Sequence, residues 1–295
     1  MSRKRFFSWL SLPVGLIVAC AATAQQTTDF SAVQIKVHKV AGNIYYLEGS
    51  GGNVGVSVGD DGVVMIDDQF APLTDKLLAA IRTVSKQPVR FLINTHIHGD
   101  HTGGNENIGK LGIPIIAHDN VRVRLAQGVN GGAPSPAVAL PDLTYADTVS
   151  LHVNGDDVEI IKMPPAHTDG DSIIWFKSAN VIHVGDVFRT TGYPGVDAGN
   201  GGSVKGTLEA LQKIIDMAGP DTKLIPGHGT VSSRDDVVEF RNMVVEVQKR
   251  ISDLIRQGMT LEQVVAAKPT ADLDGRWGSF ERFLPGFYQA LKTEM

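Results

Sequence analysis

Apolar positions cluster in short runs through the first half of the chain: Val33 to Val40, Ile44 to Leu47, Val54 to Val58, Val63 to Ile66 and Val89 to Ile93. Their content of Val and Ile, with Gly and Asp between them, predicts strands. Gly59-Asp60-Asp61-Gly62 joins two of the runs as a hairpin turn does. The Gly-rich stretch from Gly49 to Gly55 lacks the Gly-Lys-Ser/Thr ending of a phosphate loop and reads as hairpin and strand. Between Ile66 and Val89 the period changes. Leu73, Leu77, Leu78, Ile81 and Val84 share one side of a 3.6-residue repeat, which predicts a helix packed on a sheet.

The second half repeats this scheme. Val158 to Lys162, Ser172 to Phe176 and Val181 to Val184 read as strands, Leu208, Leu211, Ile214 and Ile215 mark a helix, and Lys223 to Ile225 adds a short strand. From Ser233 a long helical stripe runs through Val237, Phe240, Val244, Val247, Ile251 and Leu254 and stops at Gly258. Thr260 opens another helix with Gln263 in the capping-box position. Strands then helices, twice over, predict an α/β fold of αββα sandwich type across residues 25–258, with residues 259–295 as a short C-terminal helical extension on the same body. The stretch from Gly128 to Pro141, dense in Gly, Pro and Ala, is expected to be a surface loop with the capacity to act as a lid.

Composition narrows the function classes. With 42% hydrophobic and 20% charged residues the chain is of globular type, and a formal net charge of -5 gives no general attraction to nucleic acid or anionic membrane. Residues 1–24 stand apart: Arg3, Lys4 and Arg5 precede an apolar run from Phe6 to Ala19, and Ala22-Thr23-Ala24 offers small residues for cleavage. The run is shorter than the ~20 residues that span a bilayer, so it reads as a signal peptide, with a mature start at Gln25 in the periplasm or outside the cell. A second cut competes, because Ile17-Val18-Ala19-Cys20 resembles a lipobox and would leave a lipid anchor on Cys20. Cys20 is the sole cysteine, so after the favoured cut any metal chemistry must use histidine and carboxylate.

Such a set is present. Thr95-His96-Ile97-His98-Gly99-Asp100-His101 follows the apolar run Phe91-Leu92-Ile93 and places three histidines and a carboxylate within six residues. Extended backbone would aim His96 and His98 the same way, and a turn at Gly99 would bring Asp100 and His101 to face a second point. Zinc takes imidazole nitrogen and carboxylate oxygen at ~2.0–2.2 Å, and a catalytic site keeps a position open for water, so four ligands in one loop suit two sites better than one. His167, Asp186 and His228 each follow a strand-like run. The expected assignment gives His96, His98 and His167 to one metal and Asp100, His101 and His228 to the other, with Asp186 bridging. Taken singly, His228 or Asp186 is more ordinary as a surface or turn residue. The six-residue cluster is not, since burying three unpaired imidazoles would cost ~1–3 kcal/mol each. His38, His118, His152 and His183 lack ligand-rich neighbours and are read as structural.

Thr95-His-Ile-His-Gly-Asp-His-Thr-Gly-Gly104, Ala166-His-Thr-Asp-Gly170, Gly185-Asp186 and Gly227-His-Gly229 together resemble the metallo-β-lactamase superfamily over roughly residues 33 to 232. The resemblance implies an αββα fold, two zinc ions per chain (iron or manganese being the alternatives) and hydrolysis. It also implies that Asp67, after Val63 to Ile66, supports the histidine loop from behind. The β-lactamase branch with a cysteine ligand carries it where this chain has Asp186, so a thiolate site is absent. The seven-residue set is similar instead to that of glyoxalase II, lactonases and phosphodiesterases. Arg189 stands three residues after Asp186, where those β-lactamases place a Lys that grips the substrate carboxylate, which implies a small anionic substrate; the ordinary alternative is an exposed loop arginine.

Two dications beside a water lower its pKa from ~15.7 toward ~7, which supplies hydroxide at neutral pH, and Asp100 is expected to orient it. The leading expectation is a periplasmic hydrolase that opens cyclic amides or esters, β-lactams first. Thioesterase, lactonase and phosphodiesterase activities are the alternatives within hydrolysis, and an iron-dependent oxidoreductase like the superfamily's sulfur dioxygenases is the alternative outside it.

Overall fold

The computed structural model describes residues 29–295. The leader at residues 1–24, the start at Gln25 and the lipobox cysteine Cys20 lie outside the described residues. Strands β1 (Lys36–Ala41), β2 (Ile44–Glu48), β3 (Val54–Gly59), β4 (Gly62–Ile66), β5 (Val89–Ile93), β6 (Ile115–His118) and β7 (Leu143–Tyr145) form one sheet in chain order. β1 to β4 pair antiparallel, and β4 to β7 pair parallel. Strands β8 (Thr148–Val153), β9 (Asp156–Lys162), β10 (Ser172–Phe176), β11 (Val181–Gly185) and β12 (Lys223–Pro226) form the second sheet in the order β12-β11-β10-β9-β8. Only β11 and β12 run parallel there.

The helices are α1 (Thr74–Val84), α2 (Gly99–Thr102), α3 (Asn105–Lys110), α4 (Asp119–Gln127), α5 (Val204–Met217), α6 (Arg234–Arg256), α7 (Leu261–Ala267), α8 (Asp274–Trp277) and α9 (Leu284–Glu294). Among the described residues none is long and apolar enough to cross a membrane.

Side chains alternate across a strand, and that alternation builds the layers. Ile44, Tyr46, Val64, Ile66 and Ile93 meet Val158, Ile160, Ile174, Phe176 and Ile225 between the sheets. The intervening residues Leu47, Val63, Met65 and Leu92 turn outward onto Leu73, Leu77 and Ile81 of the α1 region. On the far side Ile161, Ile173, Ile182 and Leu224 pack under α5 and α6. This is the αββα sandwich.

Ser233 caps α6 in a reciprocal box, its Oγ accepting from Asp236 N and Asp236 Oδ2 accepting from Ser233 N. Thr260 and Gln263 cap α7 in the same way. Phe280, Leu284, Phe287, Tyr288 and Leu291 of the C-terminal residues join the core that contains Val187 and Phe188. The loop over residues 128–141 lies beside the histidine recess and contributes no residue to its lining. It is held by Asn105 Nδ2, which donates to Ala139 O at 3.0 Å, and by Arg122, which donates to Pro141 O. It lines a cavity beside Ile97 and Thr102 rather than the recess that holds the clustered histidines.

Candidate metal centre

Parallel pairing gathers the clustered residues. Because β4 runs with β5 and β11 with β12, the chain leaves all four strands at one rim. Asp67 follows β4, the histidine loop follows β5, Asp186 follows β11 and His228 follows β12. His167 sits in the connection from β9 to β10, which turns at that rim since β10 is antiparallel to β11. Backbone bonds lace the two sheets together there: Asn53 N donates to Gly227 O at 2.7 Å and Ser172 N to Thr95 O at 2.9 Å.

Four histidines are each anchored through one ring nitrogen, which aims the other inward. His96 Nδ1 lies 2.9 Å from Thr95 Oγ1, His101 Nδ1 2.7 Å from Asp67 Oδ2, and His167 Nδ1 2.7 Å from Gly195 O. All three present Nε2 to the recess. His98 is turned the other way: its Nε2 is 2.8 Å from Asp197 Oδ2, and it presents Nδ1, 2.7 Å from His167 Nε2. An acceptor on one imidazole nitrogen fixes the tautomer and leaves a lone pair on the other, as a metal ligand requires.

The free atoms fall into three overlapping groups, each within 4.8 Å: His96, His98 and His167; His96, His101 and Asp186; Asp100, His101 and His228. Asp186 spans them, with Oδ1 3.3 Å from His101 Nε2 and Oδ2 3.6 Å from His167 Nε2 and 3.3 Å from His228 Nε2. His228 Nε2 is also 3.3 Å from Asp100 Oδ2. Three of these atoms, His96 Nε2, His101 Nε2 and Asp186 Oδ1, are buried without a properly directed hydrogen bond. Buried polar atoms of native proteins are nearly always satisfied, so three orphans converging at a carboxylate-rich spot fit a bound cation.

The electrostatics agree. Burial, reinforced by His101 and His167, holds the His96 imidazole well below its usual pKa, and burial with His98 beside it pushes His167 down to about 4. Both are neutral lone-pair donors at neutral pH. Burial opposes charge on His101, but Asp186 and Asp67 outweigh it and hold that imidazole well above its ordinary value. Burial likewise opposes charge on Asp186, and His101 and His228 overcome it, keeping the carboxyl well below the usual range. The site therefore draws positive charge toward the point between Asp186 and His101.

The structure brings together all seven residues singled out as ligands and sets Asp67 behind them. Asp67 accepts from Thr95 N, Thr95 Oγ1 and His101 Nδ1. Arg189 lines the same recess and is 8% exposed, so it is no exposed loop arginine. The other histidines have local partners: His38 with Glu48, His118 with Asn120 N, His152 with Asp157 and His183 with Asn53 O. The turn expected at Gly99 is the start of a helix: Gly99 is the first residue of α2, which swings Asp100 and His101 round. Sequence reasoning missed Asp197 and the Gly195 carbonyl. The lone acid in the glycine-rich stretch 192–202 was the available signal, but its partner His98 lies 99 positions away.

A comparison with family patterns decides the lineage: the model described as "Metallo-beta-lactamase superfamily" matches residues 47–228, more than half of the chain. The chain belongs to the metallo-β-lactamase superfamily. As a member it is a metal-dependent hydrolase. It is 24% identical over 222 residues to "Beta-lactamase-like protein 2 homolog" of Caenorhabditis elegans, covering 69% of this chain and 68% of the relative. It is 27% identical over 143 residues to "Hydroxyacylglutathione hydrolase" of Rhodospirillum rubrum, covering 48% of this chain and 50% of that one, so the match spans half that enzyme's length. Among solved structures, "Metallo-beta-lactamase from Pontibacter korlensis" superposes with a TM-score of 0.62 at 20% identity, covering 72% of this chain and 99% of that one. At that identity the likeness shows the fold.

Proposed function

We propose that this hydrolase holds two zinc ions and cleaves the amide or ester bond of a small carboxylated substrate, with cyclic amides such as β-lactams first among them. One observation carries the reading: His96 and His101 link three ligand groups into one chain, and in the middle group, His96, His101 and Asp186, each residue has a buried atom without a hydrogen-bond partner. His96, His98 and His167 would hold one ion, Asp100, His101 and His228 the second, and Asp186 would reach both. Bound zinc supplies Lewis acidity that polarises a carbonyl oxygen and makes water acidic enough to attack at neutral pH.

The chain's own groups do the rest. Asp67, Asp197, Gly195 O and Thr95 hold the imidazoles in their ligating tautomers. Asp100, 29% exposed in its side chain and lining the recess, is placed to orient a water and carry a proton. Arg189 offers its planar guanidinium to a substrate carboxylate. An exported chain meets lactams and esters rather than cytosolic thioesters, and the basic-then-apolar leader at residues 1–24 supports that setting.

A thioester substrate is the second reading, supported by the hydroxyacylglutathione hydrolase relative. A hydrolysis screen of β-lactams, lactones, thioesters and phosphodiesters separates these readings. Arg189→Ala is expected to raise KM about 10-fold for carboxylated substrates and to leave neutral analogues nearly unchanged. An equal effect on both kinds of substrate would remove Arg189 from carboxylate binding.

A further inference from the structure

The recess over the candidate metal ligands has a wall built by the C-terminal extension. Arg282, Phe283 and Gly286 line it beside Arg189, Val196 and Phe70. Phe283 seats against the loop after Arg189: a Cβ at Gly192 would lie 3.1 Å from its ring. Both arginines address that ring, with Arg189 Cζ 5.3 Å and Arg282 Cζ 5.7 Å from its centroid.

Arg189 is 8% exposed and its Nε has no hydrogen-bond partner. A buried guanidinium without a counter-charge is costly, and an aromatic face offsets only part of that cost. The carboxylates lining the recess are engaged elsewhere: Asp186 and Asp100 with His228, and Asp197 with His98. Arg282 stands exposed at the mouth, so two guanidiniums concentrate positive charge here on a chain whose formal net charge is -5. The uncommitted binding capacity of this wall is for an anion, and Phe70 and Phe283 flank it with apolar surface.

We propose that the C-terminal extension completes the substrate site. Phe283 props Arg189 toward the recess, Arg282 adds a second cation at the entrance, and together they select substrates that carry a carboxylate beside an aryl or alkyl group. This rests on the binuclear reading above and specifies which substrates that centre receives.

Binding to the zinc-saturated full chain tests it without turnover. The probes are 2-mercapto-3-phenylpropanoate and its carboxamide, measured by titration calorimetry, so that the thiol reports the metal centre and the carboxylate reports the arginine wall. Wild type is expected to prefer the carboxylate. Arg282→Glu is expected to weaken the carboxylate about 3- to 10-fold and change the amide less than about 2-fold, with the loss shrinking at high salt. Arg282→Lys is expected to keep most of the preference, and Phe283→Leu to lose part of it by removing the ring that props Arg189. A preference that Arg282→Glu leaves intact overturns this inference while the metal reading stands. Failure of wild type to bind either thiol overturns the metal reading and takes the inference with it.

Discussion

Asp67 concentrates much of the site's order in one side chain. Fully buried and held at φ +62, it accepts hydrogen bonds from the backbone and hydroxyl of Thr95 and from His101, and Thr95 in turn meets His96. A left-handed conformation costs a non-glycine residue ~1–3 kcal/mol, and here it places a carboxylate behind the imidazoles of His96 and His101. Asp67→Asn keeps the shape but presents an amide where three donors converge. Zinc affinity is expected to fall ~10- to 100-fold while the circular dichroism of the fold is retained, and a competition titration against a chelator checks it. Affinity equal to wild type would make Asp67 a packing residue only. His96, His98, Asp100 and His101 were legible because imidazoles and carboxylates so crowded have no packing benefit, whereas His167, Asp186 and His228 were legible only by their place after strand-like runs and by the family resemblance. Asp197 was not legible, because a single acid in a glycine-rich loop looks like a turn residue until the fold carries it to His98.

The turn that presents Asp100 and His101 belongs to an element rather than to a glycine. Gly99 opens α2 with room around it, since a Cβ there would meet nothing within 4 Å, whereas a Cβ at Gly52, in the turn between β2 and β3, would overlap the His101 ring. Gly52→Ala is therefore expected to cost ~1–3 kcal/mol and displace His101, lowering zinc affinity, while Gly99→Ala leaves both nearly unchanged; thermal melts and zinc titrations of the two variants decide. Equal behaviour would show that the loop between β2 and β3 gives way freely. Elements with a strong period were readable from the sequence, as α1, α5 and α6 were. β6, with only Ile115, Ile116 and Ala117 apolar, was passed over. β8 did carry a strand signal, Val149, Leu151 and Val153 alternating with the exposed Thr148, Ser150 and His152, and the sequence reading passed over it.

At the scale of the molecule, two sheets with parallel pairs at matching positions bring separated stretches of chain to one rim, and the apolar layer between them holds the sheets face to face. The layer order was legible because strands gave way to helices twice along the chain. The C-terminal wall was not, because Arg282 and Phe283 carry no periodic signal that ties them to a site whose residues run from His96 to His228. On the proposed reading this rim holds a pair of cations with Asp186 between them. Metal content of zinc-saturated, gel-filtered protein tests it most directly, by elemental analysis of wild type beside Asp186→Ala. About two zinc per chain in wild type, with at most about one in the variant and turnover reduced by orders of magnitude, is the expected result. Wild-type protein that retains no zinc, or an Asp186→Ala variant with wild-type zinc and turnover, would contradict it.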